Sequence, residues 1–549
     1  MGPQLRRLSI AFVAVVAACT PVAAGPELPR PALPAGSAPL TTAPPTTVVT
    51  ASVTTALSQD PTCPTEFCVL YTIDPDAVWS DGTPVTGDDF VRTYQQGRFA
   101  GIAGYDRIVS VEMIEPKQVF VVFAGAYGAW PQLFARLVGQ GSAQTTGYEL
   151  VDQVPGDSIV VSRIANWWPA QDPVSGAVLG DVTQVTFVFM SDLDEMVEAL
   201  AAGDVDVIVG RPDPGSLEDL REIEGVTVSV VPGPYWEQIS FHHEDPALAQ
   251  PWVRMAIAMA IDREALLDAT ARLVQPDAIG LDNTIFMSRT RPYEDHYDIA
   301  HDPAGAEQLL VDNGCVRGDD GTYECGGNRL SFRWATTTDD PARREAFTLI
   351  EADLASIGIE LVPDFRTPSA FVATDFLFGG PERWQLANFS WRVGDDPGEN
   401  ADLYRCGESL LNLNRYCSPG VASLVDQAAA TLDRAVREDL YNQADALFLG
   451  DLAVIPLYQK PELMAWRETI QGPIHNHSRS SDLWNLASWT GQESIIVAIP
   501  AEPTSLDPFV TTDDEANMVL ATLLYGAFAM DPAYETLPVL VDSARVIEG

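Results

Sequence analysis

The stretch ESIIVAIPAEPTSLDP, Glu493–Pro508, joins a short apolar strand to a turn punctuated by Pro500, Pro503 and Pro508. Apolar β-branched residues bounded by proline read as a strand and its exit loop. Such a stretch suits the head of a mature secreted protein. Here it sits near the tail of a 549-residue chain. The rest of the sequence has to explain that displacement.

The beginning of the chain carries other signals. Arg6 and Arg7 precede an apolar run from Leu8 to Ala18, too short to span a bilayer and of the right length for a signal peptide. Val16-Ala17-Ala18-Cys19 has the form of a lipobox, which predicts an acylated Cys19 and a membrane anchor. Residues 20–60 are rich in Pro, Thr, Ala and Val without periodicity, as in an extended tether. The 77 acidic and 32 basic residues give a net charge of −45. Nucleic acid and anionic membrane surfaces are repelled by that field, so neither is an expected partner. Beyond Cys19, six cysteines fall in three close pairs, Cys63/Cys68, Cys315/Cys325 and Cys406/Cys417. An even set in a secreted chain predicts disulfides. No CxxC spacing supports zinc, and no metal or other cofactor is expected.

From residue 67 the pattern alternates strands and helices. FCVLYTI (67–73) and KQVFVVFAG (117–125) read as strands, and Thr86 caps a helix beginning in GDDF. YGAWPQLFARLVG (127–139) reads as a short helix, DLDEMVEALAAGD (192–204) as an amphipathic one, and WVRMAIAMAIDREALLDATA (252–271) as a long apolar one. His475 and His477 lie in a Gly-Pro-Asn-Ser loop and read as a surface turn. No phosphate loop, HExxH or GxSxG occurs, and no defensible nucleophile–base pair supports a hydrolase or any other enzyme.

Six blocks in order then carry a resemblance. VWSDGTPVTGDDFVRTY, KQVFVVFAGAYGAW, GDSIVVSRIANWW, VRMAIAMAIDREAL, DGTYECGGNRLSF and AVIPLYQKPEL together resemble the bacterial extracellular solute-binding proteins of family 5, the peptide receptors of ABC importers. In that family a strand and SLDP begin the mature chain, followed by a helix and a strand leading to W-S-D-G. Here SLDP (505–508), LATLLYGAFAMDP (520–532) and LPVLVDSARVIEG (537–549) stand at the tail. The sequence therefore resembles a circularly permuted member, with TGQ (490–492) as the closing link. A tandem gene with a truncated second copy is the rival ordering.

The resemblance implies an α/β, two-lobed periplasmic-binding-protein-like fold (type II, cluster C) with an extra small domain. Its expected parts are 1–19 signal and lipobox, 20–60 tether, 61–142 small subdomain, 143–270 lobe I, 271–462 lobe II, and 463–549 completing lobe I. It implies a monomer that captures peptides or similar solutes by lobe closure and docks on permease subunits. A surface solute sensor of the same fold is the alternative. Matching blocks puts Thr512, Asp513, Tyr235, Trp236, Trp391 and Asp395 at the ligand. Peptide-binding members place an Asp three residues after the matching Trp. Gly394 stands there, which leaves Asp395 or Asp396 and keeps sugars, opines and metal chelates open as ligands.

Overall fold

The computed structural model describes residues 61–139, 147–164, 172, 174–338, 340–394, 396–407, 411–476, 482–511 and 513–549. The signal, lipobox and tether expectations, Cys19 included, lie outside these residues. Among the described residues no helix is long and apolar enough to cross a membrane.

A ten-stranded mixed sheet runs through the body of the molecule. Its middle is an antiparallel pair of long strands, Val226–Phe241 and Val454–Arg467. Residues 226–231 pair with 462–467 on one side, and 236–240 pair with 454–459 on the other. The register shifts between them, at Pro456/Tyr458 and Gln459/Pro461. Pro232, Pro234, Pro456 and Pro461 supply the physical reason, because proline has no N–H to give to a ladder. Gly233 is required as well. A Cβ there would stand 2.6 Å from Glu462 Cγ and 2.8 Å from the Lys460 carbonyl.

This break divides the molecule into two lobes. On the lobe I side, Ser494–Ile499 lies between Gln184–Phe189 and Val207–Gly210, parallel to both. Both faces of this half are covered. Val207, Val209, Ile495 and Val497 pack toward helix Asp514–Leu523, while Ile208, Ile496 and Ala498 pack toward helices Leu193–Ala202 and Pro214–Glu222. The period of two along each strand makes this division. On the lobe II side, Ser331–Thr337 pairs in parallel with Glu360–Arg366 and Leu386–Arg392, and the last of these pairs antiparallel with 235–241. Helices Pro341–Ser356, Pro419–Ala430 and Arg434–Gly450 complete that core.

A small domain is built on a separate four-stranded antiparallel sheet. Phe67–Ile73 pairs on one edge with Gln118–Phe123 and on the other with Val541–Glu548, Phe67 opposite Glu548 and Ile73 opposite Val541. The tail thus returns to the first described strand. Asp74 N continues the contact, donating to Leu540 O at 3.0 Å. The TGQ link makes a tight turn. Gly491 has φ of 103°, and a Cβ on it would meet the Thr469 carbonyl at 1.9 Å.

The three expected disulfides are present, Cys63–Cys68, Cys315–Cys325 and Cys406–Cys417. Three expectations are corrected. The helix expected over 252–271 is two, Pro251–Ala260 and Arg263–Ala269, because the Asp262 side chain accepts from Ala265 N and caps a new start. Both belong to the core of lobe II rather than lobe I, since the chain has already crossed at Pro232–Pro234. The expected helix at 127–139 is a single tight turn, Trp130–Gln132, with Pro131 at its start.

Deleting Val541–Gly549 should leave Phe67–Ile73 unpaired on one edge. Amide exchange at Cys68, Leu70 and Thr72, whose N–H groups face the lost strand, is then expected to rise to that of an exposed loop. Retained protection would show that the small sheet stands without the tail strand.

Candidate functional site

The parallel strands of both lobes end toward the break between them. The Arg211–Pro214 turn follows Val207–Gly210, and the Asp340–Ala342 turn follows Ser331–Thr337. Both turns line one cavity of about 450 Å³, floored by Tyr458, Lys460 and Pro461 of the second crossing strand. Carboxyl ends of parallel strands are where open α/β sheets hold ligands. Each turn also starts a helix. Asp213 accepts from Ser216 N at 3.0 Å, and Asp340 accepts from Ala342 N at 3.0 Å.

The lobe II wall is a buried charge network. Arg343 donates to Glu237 (Nη2 to Oε1, 2.7 Å), to Ser390 Oγ (3.2 Å) and to Thr337 Oγ1 (3.1 Å). Lys460 Nζ lies 2.6 Å from Asp340 Oδ2 and 3.2 Å from Glu237 Oε1. Asn388 donates to the other Glu237 oxygen at 3.1 Å. Two acids thus meet two bases with nearly every lone pair used, the condition under which buried charge is tolerated. Burial pushes the Asp340 carboxyl up, but Lys460 and Arg343 outweigh it and hold it well below the usual range.

A second group of residues spans the lobes. Tyr235 of lobe II donates its hydroxyl to Asp514 Oδ2 of lobe I at 2.8 Å, and Arg392 Nε stands 3.5 Å from Asp514 Oδ1. The Arg211 guanidinium lies over the Tyr235 ring, 4.9 Å from its centroid. Burial, and then Asp514, push the Tyr235 phenol far above its ordinary value. Asp513 is held by its own helix. It accepts from Ala516 N at 2.8 Å and from Thr511 Oγ1 at 2.9 Å.

Carboxyls without full compensation lie beside this group. Burial, then Asp482 and Asp514, push Glu462 up to about 8. Burial pushes Asp482 up to about 7 and Glu515 up to about 7. His475 is not a surface residue as the loop composition suggests. It is buried, its Nδ1 bonded to Ser229 Oγ at 3.0 Å and its Nε2 3.3 Å from Asp482, and burial lowers it to about 4. His477 lies outside the described residues.

Comparison with known proteins agrees with this architecture. Residues 68–376 match the model of the bacterial extracellular solute-binding proteins, family 5 middle region, more than half of the chain. The chain belongs to that family. The Mycobacterium tuberculosis oligopeptide-binding protein OppA is 26% identical over 438 residues, 73% of this chain and 71% of its own. Among solved structures, the periplasmic EDTA-binding protein EppA superposes with a TM-score of 0.67 at 20% identity, over 78% of this chain and 85% of that one. The Bacillus subtilis oligopeptide-binding protein AppA, solved with a nonapeptide, gives 0.58 at 17% identity, over 79% and 89%. These two likenesses concern the fold.

Of the residues expected at the ligand of this family 5 protein, Tyr235 stands at the interlobe contact with Asp514, and Asp513 caps the helix that carries Asp514. Thr512 and Asp395 lie outside the described residues. Trp236 and Trp391 are a correction. They pair directly across neighbouring strands, on the face opposite Tyr235 and Arg392, and are 2% and 5% exposed. There they pack among Phe389, Tyr404 and Phe448 around a small cavity of about 20 Å³. Strand alternation forces this, since neighbours cannot share a face. Gly394 is buried against Glu399, and Asp396 caps Pro397–Leu403 and pairs with Arg437 at 2.9 Å. Arg211, Glu237, Lys460, Glu462 and Asp514 were not anticipated. Their signal was available for three of them: YWEQISF and LYQKPEL carry Glu237, Lys460 and Glu462 inside otherwise uncharged segments.

Two outcomes follow. Trp391→Ala should cost about 3–5 kcal/mol in chemical unfolding of the ligand-free protein; a loss below about 1 kcal/mol would place the indole outside the core. Glu462 titrates higher when folded, so its stabilising share is whole below its unfolded value near 4.5 and disappears as pH rises through about 8. Glu462→Gln should therefore melt with the parent at pH 4.5 and above it at pH 9. Parallel melting curves across that range would contradict the burial of this carboxyl.

Proposed function

We propose that this family 5 protein captures a short peptide or similar small solute between its lobes and hands it to the permease of an ABC importer. The observation that carries this reading is the cavity walled by both lobes and floored by the strand that joins them. Its volume of about 450 Å³ is in the range of small-molecule sites. The relative OppA is named for oligopeptide binding, and AppA was solved with a nonapeptide. Capture works by closure. The Tyr235–Asp514 and Arg392–Asp514 contacts join opposite lobes, and lobe opening breaks them. No bond of the solute is made or broken.

The lipobox supports a position on the outer face of the cell membrane, through an acylated Cys19 and a tether over residues 20–60. The order of blocks supports the reading of a circular permutation, with Ser494–Ile499 and Val541–Glu548 supplied from the tail. A gene rejoined with residues 493–549 ahead of residue 61 should then give the same disulfides and unfolding transition.

Native mass spectrometry of the full-length protein from host membranes tests the main reading. Co-purified short peptides, with acyl mass on the N-terminal fragment, are the expected result. A sugar or metal chelate in the peptides' place would overturn the peptide assignment.

A further inference from the structure

Two cations line the interlobe cavity, Arg211 and Lys460. Their situations differ. Lys460 is neutralised by Asp340 and Glu237. The Arg211 Nη1 is buried without a hydrogen-bond partner among the described residues. A buried guanidinium N–H left unpaired is costly, and native proteins retain such a group where something else completes it.

The neighbouring acids do not complete it. Asp213 is committed to Ser216, with its Oδ1 on the backbone N–H and its Oδ2 on the hydroxyl. Asp514 is committed to Tyr235 and Arg392. Glu345 is exposed. Glu462 and Glu515 feel Arg211 at longer range, and burial keeps them protonated up to about 8 and about 7. The rest of the wall is largely apolar, with Pro212, Leu273, Val274, Pro341 and Pro461. The Arg211 Nη1 therefore stands in a largely apolar surround with no acceptor assigned to it among the described residues. The guanidinium carbon lies over the Tyr235 ring, 4.9 Å from its centroid, a contact that favours one placement of the group. A flat, fixed guanidinium matches a carboxylate with two parallel N–H donors, a match that an ammonium cannot reproduce.

We propose that Arg211 is the anion anchor of the cavity and that the captured solute presents a carboxylate to it. This rests on the reading that the interlobe cavity is where solute binds, and it narrows the solute to a carboxylate-bearing molecule with an apolar body.

Trialanine, trialanine amide and hexanoate serve as probes on the full-length protein, read by calorimetry and by the shift in melting temperature. The parent should bind trialanine more tightly than its amide. Arg211→Gln should lose about 10- to 100-fold for the acid and leave the amide unchanged. Arg211→Lys should retain part of the preference. If neither peptide binds but hexanoate still raises the parent's melting temperature, and not that of Arg211→Gln, the anchor stands and the peptide reading falls. Equal binding of acid and amide by the parent, or no difference between parent and Arg211→Gln with any carboxylate probe, would overturn the anchor. Unchanged unfolding of the ligand-free variants confirms that they are folded.

Discussion

The pairing of Val226–Phe241 with Val454–Arg467 is the constraint on which the other features depend. The two strands are continuous across both lobes, yet their ladder breaks where Pro232, Gly233 and Pro234 face Lys460 and Pro461. Proline removes donors and glycine removes a side chain, so the sheet yields there and stays firm on either side. The groups that these two strands bring to the lobe junction are placed by their distance from that break. Tyr235 and Glu237 follow it on one strand, and Lys460 and Glu462 straddle it on the other.

Charge in this region is of two kinds. Glu237, Arg343, Asp340 and Lys460 satisfy one another almost completely. They form a wall that cannot change without leaving a bare charge behind, which is the expensive event for buried ions. Arg211 and Glu462 are not satisfied in this way. One keeps an unbonded donor and the other holds its proton into the neutral range. The fixed set shapes the cavity, and the open set is available to a guest. Perturbed groups next to a cleft are the usual mark of a working site.

Much of the fold was legible in the sequence because its blocks keep their order and their internal period. Phe67–Ile73, the Thr86 cap and the three disulfides could all be read directly. The long helix was misread because Asp262 looks like an ordinary helix surface residue until its side chain is seen capping Ala265. The site was harder. In YWEQISF both faces of the strand are buried, so apolar and polar residues follow no simple alternation, and which of Tyr235 and Trp236 faces the other lobe is not written in the pattern. Choosing the larger aromatic selected the core. His475 shows the reverse error, since a loop of Gly, Pro and Asn looks exposed until Trp484, Asp482 and Ser229 are found around it.

The union of Phe67–Ile73 with Val541–Glu548 sets a schedule as well as a shape. A ribosome releases Phe67–Ile73 long before its edge partner Val541–Glu548, so the small sheet stays one member short until that partner emerges. Until then the exposed rim of Phe67–Ile73 is open to the wrong neighbour. The five-residue loop closed by Cys63–Cys68 is the one local restraint that can form on that rim in the meantime. A chain kept unfolded until Val541–Glu548 emerges lets these two strands find each other before any other neighbour does.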